Sequence, residues 1–246
     1  AILADGAIRL PVILSLEDAP VWLVESDHSN QTAVQAFTHA ALFGFLSTCP
    51  VASLCCTVID PENRGNSVAP FFDARKKLPE LFDEKFYTGR EEIAAKINRL
   101  NEKIEDILQD KLGNQYQNIF EYAKQTPGSR AEITLLMLYD FPRGFDERML
   151  AELRNILRNG SRCGIYTIIA HEPEIEARHS QEYANSLREI RNLSMPIQQS
   201  GADFLLRGLP LLSYPMPDKG AFAKFFSKYL LVFEGIQNRG IAFSPM

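Results

Sequence analysis

The residues from Val21 to Thr32 read V-W-L-V-E-S-D-H-S-N-Q-T, and they decide the predicted fold. The apolar run Val21–Val24 predicts a β-strand, and the polar stretch Glu25–Gln31 predicts a loop. Apolar side chains then recur at helical spacing through Thr32–Leu46, which predicts an amphipathic helix. A strand, a polar loop and a helix at the start of an α/β domain form the arrangement in which phosphate-binding loops occur.

Predicted strands and helices alternate along the rest of the chain. Apolar runs predict strands at Leu54–Ile59, Ile133–Asp140, Gly164–Ala170 and Phe204–Leu206. Helical periodicity predicts helices at Glu91–Leu112, Asn118–Lys124, Asp146–Leu157, Tyr183–Leu193 and Lys219–Leu231. The stretch between Pro61 and Gly89 is predicted to be a loop because it is rich in proline. The almost wholly apolar run after Ile133 is typical of a strand covered on both faces, so we predict an α/β fold with a mostly parallel sheet.

Composition narrows the functional classes. The 246 residues carry a formal net charge of −5, which does not favour a free-standing nucleic-acid binder. No apolar stretch is long enough for a membrane span, and the four cysteines form no C-x-x-C pair, so neither a zinc site nor a redox motif is predicted. We expect a reduced, cytoplasmic location. Because the chain opens at Ala1 without a methionine, we expect it to be a piece of a longer protein.

Several segments, in order, resemble the FtsK/SpoIIIE/HerA-type DNA translocases. Val21–Thr32 resembles the L-L-V-A-G-A-T-G-S-G-K-S phosphate-binding loop of that family, and Ile59-Asp60-Pro61 resembles its I-D-P strand end. Leu135–Phe141 resembles the V-V-V-I-D-E Walker B strand, and Gly160–Ala170 resembles the strand beyond it. The segment Glu91–Tyr122 is similar to the family's long helical insertion. Each motif is degenerate, and their shared order and spacing carry the resemblance.

The resemblance implies a RecA-like P-loop NTPase fold. We therefore expect a three-layer sandwich, with residues 1–246 forming a single motor domain and a helical insertion at about 90–125. It also implies an excised part of a multi-domain FtsK-like protein, a family of ATP-dependent DNA translocases. The partners it implies are other motor domains of the same or a neighbouring chain, and double-stranded DNA or a protein substrate through the full-length motor. No direct membrane insertion is expected, although the full-length protein is compatible with a membrane tether.

The loop departs from the family pattern at most of its functional positions. Glycines let the family's backbone N–H groups wrap the phosphates, but Glu25, His28 and Asn30 stand there. Gln31 takes the place of the lysine, and only Thr32 keeps the hydroxyl that would hold Mg²⁺. The loop part of the predicted vestigial nucleotide site consists of Ser29, Asn30, Gln31 and Thr32.

The second half of the predicted vestigial site lies at two later strand ends. Asp140 stands at the Walker B aspartate, and Phe141 replaces the glutamate that activates water. A phenyl ring cannot accept a proton, so this change removes the general base. Glu172 takes the place of the glutamine that senses the γ-phosphate, and it brings like charge. No intact catalytic residue and no metal site are predicted. Asp140, Glu172 and Glu174 could form a carboxylate metal site, but solvated side chains in loops are the favoured interpretation of the two glutamates.

Arg154, Arg158 and Arg162 recur every fourth residue, although Asn159-Gly160 is a helix stop that falls before Arg162. The resemblance allows inter-subunit or partner contacts for these arginines. Pairing with nearby acids such as Asp146, Glu147 and Glu152 is the simpler interpretation. The four histidines are scattered, so loop or surface positions are predicted for them, with His171 the one candidate at a strand end.

The predicted function is that of a degenerate FtsK-like ATPase domain, a structural or regulatory module of a DNA translocase or segregation motor. No cofactor is expected, and weak binding of ATP and Mg²⁺ without turnover is an alternative. Another alternative is a module of the EccC secretion type that docks a peptide or effector. An exposed apolar patch around Trp22, Phe37 and Phe141 would favour docking, and a polar surface there would count against it.

Overall fold

The computed structural model describes residues 2–4, 7–9, 16, 18–25, 31–83, 85–172, 180–201, 203–211 and 215–241. A two-stranded antiparallel hairpin comes first, with β1 at Ile2–Ala4 and β2 at Ala7–Arg9. The main sheet has seven strands in the order β4-β5-β6-β3-β7-β8-β9. Their bounds are β3 Val21–Glu25, β4 Leu54–Ile59, β5 Ile133–Phe141, β6 Ile165–His171, β7 Met195–Ser200, β8 Asp203–Leu206 and β9 Leu209–Pro210.

The sheet is mostly parallel. Strands β4, β5, β6, β3 and β7 pair in parallel, and only β8 and β9 are antiparallel to their neighbours. Central strand β5 has every residue from Ile133 to Tyr139 buried, which its almost wholly apolar sequence predicts for a strand covered on both faces. All carboxyl ends of the parallel strands therefore meet at one edge of the sheet.

Helices cover both faces of the sheet. Their bounds are α1 Gln31–Thr48, α2 Phe72–Lys77, α3 Arg90–Asp106, α4 Ile119–Gln125, α5 Glu147–Asn159, α6 Gln181–Leu193 and α7 Lys219–Ile241. One apolar core packs α1, α2 and α7 against the sheet, and a second core packs α3, α5 and α6 on its opposite face. The predicted α/β three-layer sandwich is confirmed by this arrangement of layers.

Buried polar contacts attach the helical insertion to the sheet and to α5. On the sheet side, Lys96 of α3 pairs with Asp83, which also accepts hydrogen bonds from the Thr57 and Tyr87 hydroxyls at 3.2 Å each. On the helix side, the buried amide of Asn101 donates to Glu152 Oε2 of α5 at 2.9 Å. A buried amide with satisfied partners fixes the register of α3 on α5.

The structure differs from the sequence prediction at the stretch before Gly89, at β7 and at the end of the long insertion helix. The loop expected before Gly89 contains α2, flanked by 3₁₀ turns at Asn66–Phe71 and Pro79–Phe82, because the apolar side chains of this proline-rich stretch pack onto the core. Strand β7 was not predicted, because Pro196 argues against an interior strand and two glutamines interrupt the apolar pattern. The long insertion helix changes to π-helical winding at Ile107–Leu112.

Candidate functional site

The candidate site lies where four parallel strands end. Glu25 ends β3, Asp60 follows β4, Asp140 lies near the end of β5, and His171 and Glu172 close β6. Helix α1 begins beside these strand ends with Gln31, whose side chain contributes to the same cleft. In open α/β sheets, ligands bind outside the carboxyl ends of the strands at the point where the strand order reverses. In this sheet that point lies beside β3, the first strand of the sheet along the chain.

Asp60 organises the loop that forms one wall of the cleft. Its carboxylate is fully buried and accepts backbone N–H groups from Asn63 at 3.3 Å, Gly65 at 2.8 Å and Ser67 at 3.1 Å. Gly65 has a φ of +87°, and a Cβ there would lie 2.3 Å from Cδ2 of Phe86. The I-D-P segment therefore supplies a structural carboxylate, which is occupied by the protein's own backbone.

Asp140 is the most perturbed carboxylate of the cleft. Its backbone is left-handed, with a φ of 54°, and its Oδ2 atom is buried without a hydrogen-bond partner among the described residues. Burial, and to a smaller extent the charges of Asp60 and Glu172, together raise the pKa of Asp140 to about 6, while Arg143 opposes the rise. An aspartate in this setting is poorly suited to stay ionised unless a cation or a donor lies close by.

Two arginines that the sequence analysis did not single out neutralise the acidic strand ends. Arg143 lies 3.0 Å from Glu62 and 3.5 Å from Glu172, so it bridges the wall after β4 to the end of β6. Arg191 of α6 lies 3.7 Å from Glu25 and 3.5 Å from Nε2 of His171. These arginines are separated from their acids by long stretches of sequence, and only the strand order reveals them as partners.

Phe141 occupies the end of β5 as a core residue. It is 1% exposed and packs against Phe145, with ring centroids 5.2 Å apart. Its backbone pairs with His171 of β6 beyond an irregularity in the ladder. The side chain that follows Asp140 is therefore buried in the apolar core beneath the cleft and offers no polar atom to it.

The predicted loop residues divide between the described and the undescribed parts of the chain. Ser29 and Asn30, together with His28, lie outside the described residues. Gln31 and Thr32 are exposed in the first turn of α1, and Gln31 lines the cleft. Asp140, Phe141 and Glu172 are brought to adjacent strand ends, as predicted.

The described part of the cleft is small. Its volume is about 30 Å³, enough for one or two water molecules. Sites for drug-sized ligands typically have about 300–1,000 Å³. Within the described ranges no cluster of three or more His, Cys, Asp or Glu side chains has an arrangement that would hold a metal ion.

Two predictions about single residues near the cleft are wrong. His171 is not a loop or surface residue, because it is 2% exposed at the end of β6 and lines the cleft. Glu172 is not a solvated loop side chain, since it is 16% exposed and pairs with Arg143. Glu174 lies outside the described residues.

The three predicted partner arginines pair within the chain. Arg154 and Arg158 both contact Glu189 of α6, and the Arg158 contact measures 3.4 Å. Arg162 lies in a 3₁₀ turn after α5, as the helix stop predicts, and its Nε donates to Gln117 O at 3.0 Å. The expected acids on α5 are therefore not the partners, because α6 packs against α5 and supplies the nearer carboxylate.

The aromatic residues whose exposure would favour peptide docking are mostly buried. Phe37 is 6% exposed and Phe141 is 1% exposed, and they lie on opposite faces of the sheet. Trp22 is half-buried against Phe37 and Phe45 and donates its indole N–H to Ala19 O at 3.0 Å. These three residues therefore do not form an apolar docking patch.

Several solved structures share the fold of this chain. EssC (ATPases 2 and 3) from Geobacillus thermodenitrificans superposes with a TM-score of 0.62 at 16% identity, over 90% of this chain and 45% of that one. The pCW3 conjugation coupling protein TcpA, with ATPγS, gives 0.61 at 13% identity, over 89% of this chain and 66% of that one. The chain has an FtsK/SpoIIIE-type ATPase fold.

A third FtsK/SpoIIIE-type neighbour is EccC (ATPases 2 and 3) from Thermomonospora curvata in complex with a signal sequence peptide. It superposes with a TM-score of 0.54 at 16% identity, over 85% of this chain and 35% of that one. The chain thus spans less than half the length of the EssC and EccC structures. No family model and no curated protein matches the sequence. Among the described residues, no helix is long and apolar enough to cross a membrane.

Proposed function

We propose that this chain is a degenerate FtsK/SpoIIIE-like ATPase domain, which retains the shape of a motor domain without hydrolysing nucleotide. The observation that carries the proposal is Phe141, a core residue where the ATPase pattern places the carboxylate that activates water. Losing a catalytic group that acts as part of a unit commonly lowers turnover by about 10³-fold or more. The missing Walker A lysine and glycines, with Gln31 at the lysine position, add to that loss.

The electrostatics of the cleft support the same proposal. A polyphosphate at these strand ends would approach Asp140 and Glu172, and like charges at short range are costly in a partly buried site. The protein supplies its own cations there through Arg143 and Arg191. These ion pairs partly offset the acidic charge of the strand ends without a bound nucleotide, while Asp140 keeps a buried oxygen that has no hydrogen-bond partner among the described residues.

Such a domain acts through its surfaces. We propose a structural or regulatory module within a DNA translocase or segregation motor, in contact with other motor domains of the same or a neighbouring chain. The full-length motor would carry the double-stranded DNA or the protein substrate. Cytoplasmic placement follows from this role.

Hydrolysis assays test the proposal directly. We expect Mg²⁺-dependent ATP hydrolysis slower than about 10⁻² s⁻¹, which is about a thousandfold below a typical enzyme turnover of about 10 s⁻¹. Thr32→Ala and Asp140→Ala are the informative variants, because these two residues retain the family's metal-directed groups. Turnover near 1 s⁻¹ that either variant abolishes would contradict the proposal. Measurable binding without turnover would make the domain a nucleotide-gated regulator.

A docking module of the EccC secretion type is the second candidate. The observation that favours it is the fold shared with EccC, whose structure holds a signal sequence peptide. The burial of Phe37 and Phe141 counts against a docking site in the cleft itself. Titration of the domain with an apolar signal-type peptide separates the candidates, since saturable binding would favour the docking module and no binding at millimolar peptide would count against it.

A further inference from the structure

An aromatic pair lies next to the wall of the cleft and consists of Phe72 on α2 and the half-buried Phe86, which follows α2 in the chain. Phe72 is 40% exposed, the one aromatic residue among the exposed large apolar side chains of the described residues, and it stacks on Phe86 with ring centroids 5.9 Å apart. The guanidinium of Arg75 lies 4.4 Å from the centroid of the Phe86 ring. We call Phe72, Arg75, Lys76, Lys77 and Phe86 the α2 surface.

The α2 surface is rigidly supported from below. Phe86 packs edge-on against buried Phe82 with centroids 6.3 Å apart, and Gly65 approaches so closely that any Cβ there would overlap Phe86. Gly65 also donates its N–H to Asp60. The aromatic pair is thus anchored to the loop that forms one wall of the cleft, so it presents a fixed platform at low entropic cost.

The same surface has more basic than acidic side chains in a chain that is acidic overall, since Arg75, Lys76 and Lys77 outnumber Asp73, the one acid of α2. Helix α2 ends with Arg75, Lys76 and Lys77, and the two lysines are exposed without an ion pair among the described residues. By contrast, Lys85 and Lys103 each pair with a glutamate. Arg75 and Lys76 follow Phe72 by three and four positions, which places the guanidinium and one ammonium on the same side of α2 as the Phe72 ring.

Helix stability alone does not account for this combination. Basic residues in a last turn favour the helix dipole, which explains the charges of Lys76 and Lys77. It does not explain an exposed phenylalanine, whose ring would be more favourably buried or replaced by a polar side chain. An aromatic anchor surrounded by cations is a combination typical of binding surfaces.

We propose that the α2 surface binds an acidic polypeptide segment that carries an aromatic or branched apolar side chain. The apolar side chain would pack on Phe72, and its flanking carboxylates would contact Lys76 and Lys77. Arg75 would keep its place over Phe86. The proposal names a partner class for the proposed function. It rests on the proposed function only in assuming that the domain acts through its surfaces.

The test uses fluorescence anisotropy with labelled peptides. The probe is a twelve-residue peptide that contains one phenylalanine surrounded by glutamates. Two matched control peptides replace the phenylalanine with alanine or the glutamates with glutamine. A labelled single-stranded oligothymidylate is the nucleic-acid probe. We expect the glutamate–phenylalanine peptide to bind with a dissociation constant of roughly 10–100 µM, and to weaken as salt rises. Both matched peptides should bind at least about fivefold more weakly.

Variants of the chain separate the two contributions. Lys76→Gln with Lys77→Gln should weaken binding on the order of tenfold, and Phe72→Ala about fivefold. The matched control is Lys224→Gln with Lys228→Gln on α7, two exposed lysines distant in sequence, which should change binding less than twofold. Circular dichroism and the melting temperature verify that each variant is folded, and the lysine variant leaves the aromatic stack untouched.

Each outcome decides for or against the proposal. Salt-sensitive peptide binding that is lost in both the lysine and the Phe72 variants supports it. The proposal fails if the peptide does not bind at millimolar concentration, if oligothymidylate binds more tightly through the same residues, or if the α2 surface proves to mediate self-association by analytical ultracentrifugation. Nucleotide hydrolysis by the same preparation would refute the proposed function and leave the peptide result standing, so the two failures are distinguishable.

Discussion

Replacing Asp140 with asparagine should stabilise the domain at neutral pH and leave its stability at low pH unchanged. Burial and neighbouring carboxylates raise the pKa of Asp140 from 3.8 to about 6. The folded state therefore binds a proton more tightly than the unfolded chain does. The stability that the bound proton gives to the folded state is fully present below pH 3.8 and is lost as the pH rises to about 6. At pH 8 the ionised carboxylate of Asp140 therefore destabilises the fold.

The magnitude follows from the pKa change. A rise from 3.8 to about 6 corresponds to about 3 kcal/mol. Because Asp140 is partly exposed, solvent screening reduces this to roughly 1–2 kcal/mol. Asparagine tolerates the left-handed backbone at φ 54° as well as aspartate does, so the substitution adds little strain. For a domain of this size the gain at pH 8 is about 2–8 °C in melting temperature.

The assay is thermal unfolding of the wild-type chain and of Asp140→Asn at pH 8 and at pH 4. The control is Asp203→Asn, an exposed aspartate that should alter the melting temperature by less than about 1 °C at either pH. An equal gain at both pH values would show that the effect does not come from the charge. A loss of stability at pH 8 would mean that the Asp140 carboxylate is satisfied by a contact that the described residues do not contain.

Three further predictions concern the core and the cleft. Gly164→Ala should destabilise by at least about 2 kcal/mol in urea unfolding, because φ is +79° and the new Cβ would lie 2.3 Å from Glu132 O. Gly201→Ala, at φ +62° with open space around it, should cost only about 1 kcal/mol, and equal losses would refute the steric argument. Asn101→Ala should destabilise by about 2 kcal/mol, since it leaves buried partners unsatisfied; a neutral result in the same urea assay would mean that water replaces the amide. Arg143→Gln should move the NMR-titrated pKa of Asp140 above about 6, and an unchanged pKa would rule out the predicted electrostatic contact.

Much of the fold follows from local sequence patterns. Strands β3 to β6 were predicted within two residues of their observed bounds, because each is an apolar run between turn signals. The helix stop at Asn159-Gly160 also held, with α5 ending at Asn159. Strand β7 could not be predicted, since a proline and two glutamines interrupt its apolar pattern and it is stabilised by pairing with β3.

The candidate site was predictable only in part. The resemblance to the translocases indicated Asp140, Phe141 and Glu172, and the strand order brings them together. It gave no signal for Arg143 and Arg191, because these contacts join segments that are distant in sequence. The role of the site as a vestigial nucleotide site and the limits of the domain stay predictions.

The most direct test of the central claim is calorimetric titration of the purified chain with ATP and with ADP, each with and without Mg²⁺. We expect no heat of binding and no shift in melting temperature at about 1 mM nucleotide, because a dissociation constant above 1 mM leaves less than about 0.5 kcal/mol of stabilisation. Mg²⁺-dependent binding in the micromolar range, lost in Thr32→Ala, would contradict the claim that the cleft no longer takes up nucleotide, and the domain would then be a nucleotide-gated regulator.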